Sequence, residues 1–329
     1  VSVTTMERPV SRPYVPPESF AAWRGGLLAS GVLPIVAVAG SRGKSTVVHL
    51  LDAIFGAAGL RTVLWTDQGV TLSGRKQRGE LVPWTKALGM LAKGDLDVAV
   101  QELDWDTVHA VGLPKGAYPL VAVTNLCANN DACLLQEETL RAIRALRSVR
   151  EAAHEDAVFV LNGDDWAVAG GEAEGHSGTI LVTLSRDTPL VRAHVRRGGI
   201  SVWTEDGGIR IGRKGTSRDV ARLADVPTAL GGSLGFLNAN LLTAVAVARA
   251  CGIDEATIGE GLRRARIDPA VLPGAFNLIP VGRALAIVDR PVSPWFLRVP
   301  LRAVRHLPGT RHVAVIGRAD GIPLAELHE

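Results

Sequence analysis

The string Ala39-Gly40-Ser41-Arg42-Gly43-Lys44-Ser45-Thr46 constrains this chain more than any other feature. An apolar run, residues 34–39, leads into it, and an amphipathic segment, residues 44–58, leads out. Strand, glycine turn and helix in that order make a phosphate site. Gly40 and Gly43 let the backbone turn tightly and expose N–H groups, and the helix start adds a positive partial charge. Lys44 is placed to reach the outer phosphates of a nucleoside triphosphate, and the Ser45 hydroxyl to ligate Mg²⁺. The bland alternative is a glycine-rich turn that contains lysine by chance. Strand, loop, Lys-Ser and helix occurring together argue against it, as does the scarcity of lysine: only six of the 36 basic residues are Lys.

The rest of the chain repeats the pattern that opens it. Apolar runs at 34–39, 62–66, 97–100, 120–124, 157–161 and 179–183 alternate with longer amphipathic segments at 44–58, 84–92 and 136–153. The runs are apolar throughout, as strands buried on both faces are. The expected fold is therefore α/β: a mostly parallel, doubly wound sheet with helices on both faces. Runs 200–204 and 209–211 flank Asp206-Gly207-Gly208, which predicts an antiparallel hairpin. Segments 238–251 and 255–265 read as helices joined at Gly252. Residues 1–30, opening with a proline-rich stretch, are expected to be an arm or linker, and 31–270 the phosphate-binding domain. Runs 284–289 and 312–316 around a short helix at 301–306 look like the start of a βαβ unit. Residues 271–329 are therefore expected to open an incomplete C-terminal α/β domain, cut off before it closes.

Composition removes several classes. With 47% hydrophobic and 21% charged residues over 329 positions, the chain is not of a disordered type. A net charge of +3 leaves no polyanion footprint, and aromatic residues are scattered and only 5% of the chain, so no nucleic-acid partner is expected. Cys127, Cys133 and Cys251 lack the close spacing of a disulfide scaffold or structural zinc site. No run approaches the ~18 apolar residues of a membrane span, and no secretory signal is evident. The expected setting is cytoplasmic.

The general phosphate loop requires Gly at position 38, which here is Val38. The shorter Gly-x-x-Gly-Lys-Ser form resembles that of the Mur ligase superfamily of ATP-dependent amide ligases. The string Arg-Gly-Lys-Ser-Thr is most similar to the ligase subunit of poly-γ-glutamate (capsule) synthase. Several later segments fit the same pattern. Glu102 matches a family Glu that binds Mg²⁺; its alternative is a solvated loop residue. Thr124-Asn125-Leu126 matches the family's strand-end Thr-Asn-Leu, after which Asn129-Asn130-Asp131 replaces an Asp-His pair, leaving Asn130 as a weaker metal ligand. Leu161-Asn162-Gly163-Asp164-Asp165 matches Leu-Asn-x-Asp-Asp and is read as a turn whose side chains fix the backbone. Asn240 resembles the Asn that contacts the adenine base, with helix capping as its alternative. Ala275 stands where many members have Arg. Asp289, in Asp289-Arg290-Pro291-Val292-Ser293, occupies the hinge into the C-terminal domain and joins the nucleotide contacts.

The resemblance implies an enzyme that joins a carboxylate to an amine through an acyl phosphate, with ATP and Mg²⁺ as its cofactors. Lys44 and Glu102 would be the catalytic pair. Gly40, Ser41, Arg42, Gly43, Lys44, Ser45, Thr46, Asn240 and Asp289 would hold nucleotide, and Ser45, Glu102 and Asn130 metal. An amino acid or polyglutamate chain would be the substrate, with a membrane-bound synthase partner. Two alternatives remain open: a nucleotide-binding scaffold that has lost ligation, and an ordinary P-loop kinase or GTPase, against which Val38 argues.

Overall fold

The six apolar runs up to residue 183 become strands, and the three amphipathic segments between them become helices. In the computed structural model, residues 14–126, 136–169, 178–267, 269–289 and scattered positions between 301 and 315 are described. The elements in chain order begin with α1 (Phe20–Ala29), β1 (Ile35–Ala39), α2 (Lys44–Ala57), β2 (Thr62–Thr66), β3 (Gly69–Leu72) and β4 (Arg75–Lys76). Next come α3 (Leu81–Lys93), β5 (Val98–Leu103), α4 (Trp105–Val111), β6 (Tyr118–Val123), α5 (Gln136–Ala152) and β7 (Ala153–Asn162). They continue with α6 (Trp166–Ala169), β8 (Gly178–Thr183), α7 (Pro189–Arg196), β9 (Ile200–Glu205), β10 (Gly208–Arg213) and β11 (Thr216–Arg222). The last are α8 (Gly235–Ala250), α9 (Glu255–Arg264), β12 (Asn277–Val281) and β13 (Ala284–Val288).

One sheet of 11 strands runs in the order β11-β10-β9-β8-β7-β6-β1-β5-β2-β3-β4. Its body from β9 to β2 is parallel, and antiparallel hairpins extend both ends. The expected α/β sheet and the 200–211 hairpin are both present. β1 lies between β5 and β6, so the chain leaves it in opposite directions. A crevice opens at such a switch point, beyond the carboxyl ends of the strands. The phosphate-loop string is the segment that leaves β1 there.

β1 shows why the fold needs two covered faces. Val36 and Val38 join a core shared with α2, α8 and α9. Ile35, Ala37 and Ala39 join the opposite core, with α3, α4 and α5. The period of two in a strand sends alternate side chains to opposite faces, and both faces are apolar. α2 lies in the first core with Val47, Val48, Leu50, Leu51, Ile54 and Phe55 at 0% exposure, which fixes the helix that carries Lys44.

Two segments differ from the sequence expectation. Within the expected arm, Phe20–Ala29 is helical; Ser19 caps it by accepting from the Ala22 N–H at 3.2 Å, and Phe20 and Trp23 pack on the first core. The Tyr14 hydroxyl donates to the Ala250 carbonyl at 3.1 Å, tying residues before the helix to the end of α8. The expected opening strand of a βαβ unit, β13, instead pairs antiparallel with β12 in a separate two-stranded sheet. Gly282, at φ +58°, makes the tight turn between them. Pro280 hid β12 from the sequence reading, because proline survives only where a strand has an unpaired side. The described residues of the expected 312–316 run are not in a strand. No helix among the described residues is long and apolar enough to cross a membrane.

Gly261 lets α9 lie directly on α2: an added Cβ there would collide with the Cα of Ile54. Gly261→Val should therefore lower stability by about 1–3 kcal/mol, the cost of overpacking. Urea unfolding followed by circular dichroism measures it, and an unchanged midpoint would contradict the close approach.

Candidate functional site: a braced phosphate loop

The turn between β1 and α2 is built from positions that only glycine fills. Gly40 has φ +143°, and an added Cβ would strike the Thr124 hydroxyl. Gly43 has φ +84°, and an added Cβ would strike the Asn240 side chain. Both conformations favour glycine on backbone grounds too. Gly43 is the N-cap of α2 with no side-chain cap of its own, so the first N–H groups of the helix face the crevice.

Strand-end residues hold this turn from outside. Asn125 Oδ1 accepts from the N–H groups of Ser41 at 3.2 Å and Arg42 at 3.1 Å, while its Nδ2 donates to the Arg42 carbonyl at 2.9 Å. The Thr124 hydroxyl donates to the same carbonyl at 2.8 Å. Behind them, Asn162 Nδ2 donates to the Thr124 carbonyl at 2.8 Å, and Asp165 accepts from the Leu126 N–H at 2.9 Å. Asp164 accepts from the Thr183 hydroxyl at 2.6 Å and the Leu184 N–H at 2.7 Å. Thus Asn162, Asp164 and Asp165 fix backbone, as their turn-like sequence predicts. The Ser41 hydroxyl donates to the Leu126 carbonyl and accepts from the Trp105 indole at 3.1 Å.

Charge gathers beside the turn. Lys44 is 7% exposed, with its Nζ 3.5 Å from Glu102 Oε1 and 3.9 Å from Asp104 Oδ1. The Ser45 hydroxyl donates to Glu102 Oε2 at 2.8 Å. Burial raises the Glu102 carboxyl above its ordinary range, against the Lys44 ammonium and the Ser45 hydroxyl, and Asp67 adds to the rise. Arg42 pairs with Asp289, whose Oδ1 also accepts from the Phe276 N–H at 3.1 Å. Ser41, Arg42, Gly43, Lys44, Ser45, Thr46, Glu102, Asn240 and Asp289 all line one cavity of about 390 Å³. Gly40 sits behind it against Thr124. Asn130 lies outside the described residues.

Ser45 and Glu102 offer two oxygen donors within hydrogen-bond distance of each other, beside a carboxylate whose charge is poorly solvated. That is a fit for a hard cation such as Mg²⁺, which keeps water and phosphate as its remaining ligands. Among the described residues no group of three or more His, Cys, Asp or Glu side chains is arranged to hold a metal ion unaided.

No family model matches the chain. It is 27% identical over 290 residues to cyanophycin synthetase of Trichormus variabilis, a match covering 88% of this chain and 32% of that protein. It is 26% identical over 299 residues to UDP-N-acetylmuramoyl-L-alanyl-D-glutamate--2,6-diaminopimelate ligase of Bacillus licheniformis, covering 87% and 57%. Its fold is similar to that of E. coli FolC in complex with DHPP and ADP, with TM-score 0.55, 18% identity, and 93% and 75% of the two chains covered. In sequence and in fold the chain is similar to ligases of the Mur type. It spans about a third of the first relative and somewhat over half of the second.

At this site the sequence left Asp67 and Asp104 unmarked and gave no sign that Phe236 and Phe276 would meet. Asp67, just past β2, lines the same cavity as Lys44 and Glu102; the signal was the one that marked Glu102, a carboxylate at a strand's C-terminal end. Asp104 was hidden by its second task, capping α4 through Oδ2 to the N–H groups of Asp106 and Thr107 at 3.1 and 3.2 Å. Phe236 and Phe276 meet edge to face, 5.2 Å between centroids, on the cavity wall. Nothing local foretold that pair, since 40 positions of chain separate the two rings.

A carboxyl with a raised folded-state pKa favours folding below its unfolded value, about 4.3, and loses that contribution as pH rises through the folded value. Glu102→Gln cannot lose a proton. Its stability should therefore improve relative to the parent as pH climbs through that window without divalent cation. Melting temperatures across pH 4 to 8, a range of about four units around the ordinary carboxyl and upward, provide the check. A constant gap would mean that Glu102 is solvated.

Proposed function

We propose that this chain is the nucleotide-binding part of an ATP-dependent ligase that joins a carboxylate to an amine through an acyl phosphate. The observation that carries the reading is the desolvated Lys44 ammonium, set at the start of α2 between the Gly43 turn and two carboxylates. A carboxylate resists attack because its leaving group would be oxide, so the chemistry must convert it to an acyl phosphate.

The roles follow from position. The first N–H groups of α2 cradle phosphate oxygens, and Lys44 exchanges Glu102 and Asp104 for the negative charge that grows on the transferring phosphoryl. A carboxylate oxygen of the substrate attacks the γ-phosphorus; the bond from that phosphorus to the bridging oxygen breaks, and ADP leaves with the electron pair. The amine then forms its C–N bond, the C–O bond to phosphate breaks, and phosphate departs with those electrons. The nitrogen's surplus proton passes to solvent or a neighbouring carboxylate. Mg²⁺ held by Ser45 and Glu102 supplies further charge neutralisation when bound. Asn240 and the Phe236–Phe276 pair face the cavity where an adenine ring would lie.

A glutamate-chain donor, delivered in a cytoplasmic setting with a membrane-bound synthase partner, is the finer form of this proposal. A cavity of about 480 Å³ at the ends of β8 and β9 is a candidate for such an anionic chain: Arg186, Arg192 and Arg196 outnumber Asp187 and Glu205 in its lining, with Arg186 5.1 Å over the Trp203 ring. Ala275 favours a second reading, a scaffold without ligation, because it lines the nucleotide cavity where many relatives place Arg.

Lys44→Ala should cut amine-dependent ADP release by at least about 10²-fold, the usual effect of deleting one preorganised donor, with the melting temperature preserved. Hydroxylamine trapping of the acyl phosphate in the parent distinguishes ligase from scaffold. Undiminished ADP release by the variant would remove Lys44 from the mechanism.

A further inference from the structure

A second cavity, about 730 Å³, runs along the opposite face of the sheet between α3 and α4. It meets the nucleotide cavity at Asp67 and Glu102, which line both. Its walls are largely apolar, with Trp65 and Trp84 tilted together at 5.0 Å between centroids, and Leu88, Val108 and Leu113 nearby. Its charge has one sign: Asp67, Glu80, Glu102 and Asp104 line it, and no Lys or Arg does so among the described residues.

We infer that this groove takes the amine substrate, and that the amine carries an apolar or aromatic body. The inference rests on the ligase reading for its chemistry and deepens it by naming the nucleophile's class. Charge and continuity with the first cavity point to the amine. With Glu102 assigned to the cation, Asp67, Glu80 and Asp104 still repel a carboxylate donor and attract an ammonium. Among the described residues Lys44 is the cation beside Glu102 at the junction, and Glu102 and Asp104 neutralise it while no phosphate is bound. When Lys44 turns to phosphate, Asp104 Oδ1 loses its only cation among the described residues, since Oδ2 is engaged in capping α4. The substrate's ammonium takes that place and gives up one proton to solvent before its nitrogen attacks, while its body lies against the tryptophans. Affinity then comes from buried apolar area, and orientation from one charged end.

The test titrates the full chain by calorimetry, saturated with ADP and Mg²⁺, with two probes of similar ring and opposite charge, tryptamine and indole-3-acetate. Saturable tryptamine binding without indole-3-acetate binding is expected. The double variant Glu80→Lys, Val111→Arg reverses charge at the groove rim; Val111 is 81% exposed, so the change leaves the core alone. It should weaken tryptamine at least tenfold and leave ADP affinity unchanged. Equal binding of the two probes, undiminished tryptamine binding by the variant, or ADP binding with no tryptamine binding would each overturn the inference. Selective tryptamine binding by a chain that forms no amide would uphold the groove and remove the ligase reading instead.

Discussion

Asn125 holds the site together. One side-chain amide accepts from two successive N–H groups of the phosphate loop and donates to a carbonyl of the same loop. Those backbone groups sit where both flanking glycines have positive φ, a conformation with little intrinsic preference. Without the brace the loop would relax, its N–H groups would turn to water, and Lys44 would have no fixed origin. The second layer, Asn162, Asp164 and Asp165, then holds the strand ends from which the brace projects.

This arrangement puts binding energy and strain in separate places. Apolar burial on both faces of β1 supplies stability, while the crevice collects groups that oppose it: a buried ammonium, a carboxyl raised by desolvation, and non-glycine Phe276 at φ +54°. Such groups persist because surrounding structure over-determines them. They are also the groups that a phosphate and a cation would satisfy, so the crevice is polarised in advance of its ligand.

Much of the fold was legible because β1, β6, β7 and β8 are apolar on both faces, and a short run of that kind has few other solutions. The phosphate loop was legible because its parts are contiguous: turn, lysine, hydroxyl and helix follow one another within a few residues. What escaped was assembled across distance or carried a misleading residue. Asp67 and Asp104 look like ordinary loop acids until the sheet brings three strand ends together. Phe276 matters through Phe236 and Asp289, neither of them near in sequence. β12 was masked by Pro280, and α1 by the prolines before it, although Phe20 and Trp23 already carried the spacing of a half-buried helical stripe.

The ends of the long sheet have a consequence of their own. A wide parallel sheet that stopped at β2 and β9 would offer two apolar ladders of unpaired amides to any passing strand. Here one border is the two-residue, fully exposed β4, Arg75–Lys76, and the other is β11, with Arg218, Asp219 and Arg222 facing water. Short length at one border and alternating charge at the other make poor templates for foreign strands. The hairpins therefore act as hems, guarding the fabric against fraying into aggregates while the interior strands keep the greasy sequences that two covered faces demand.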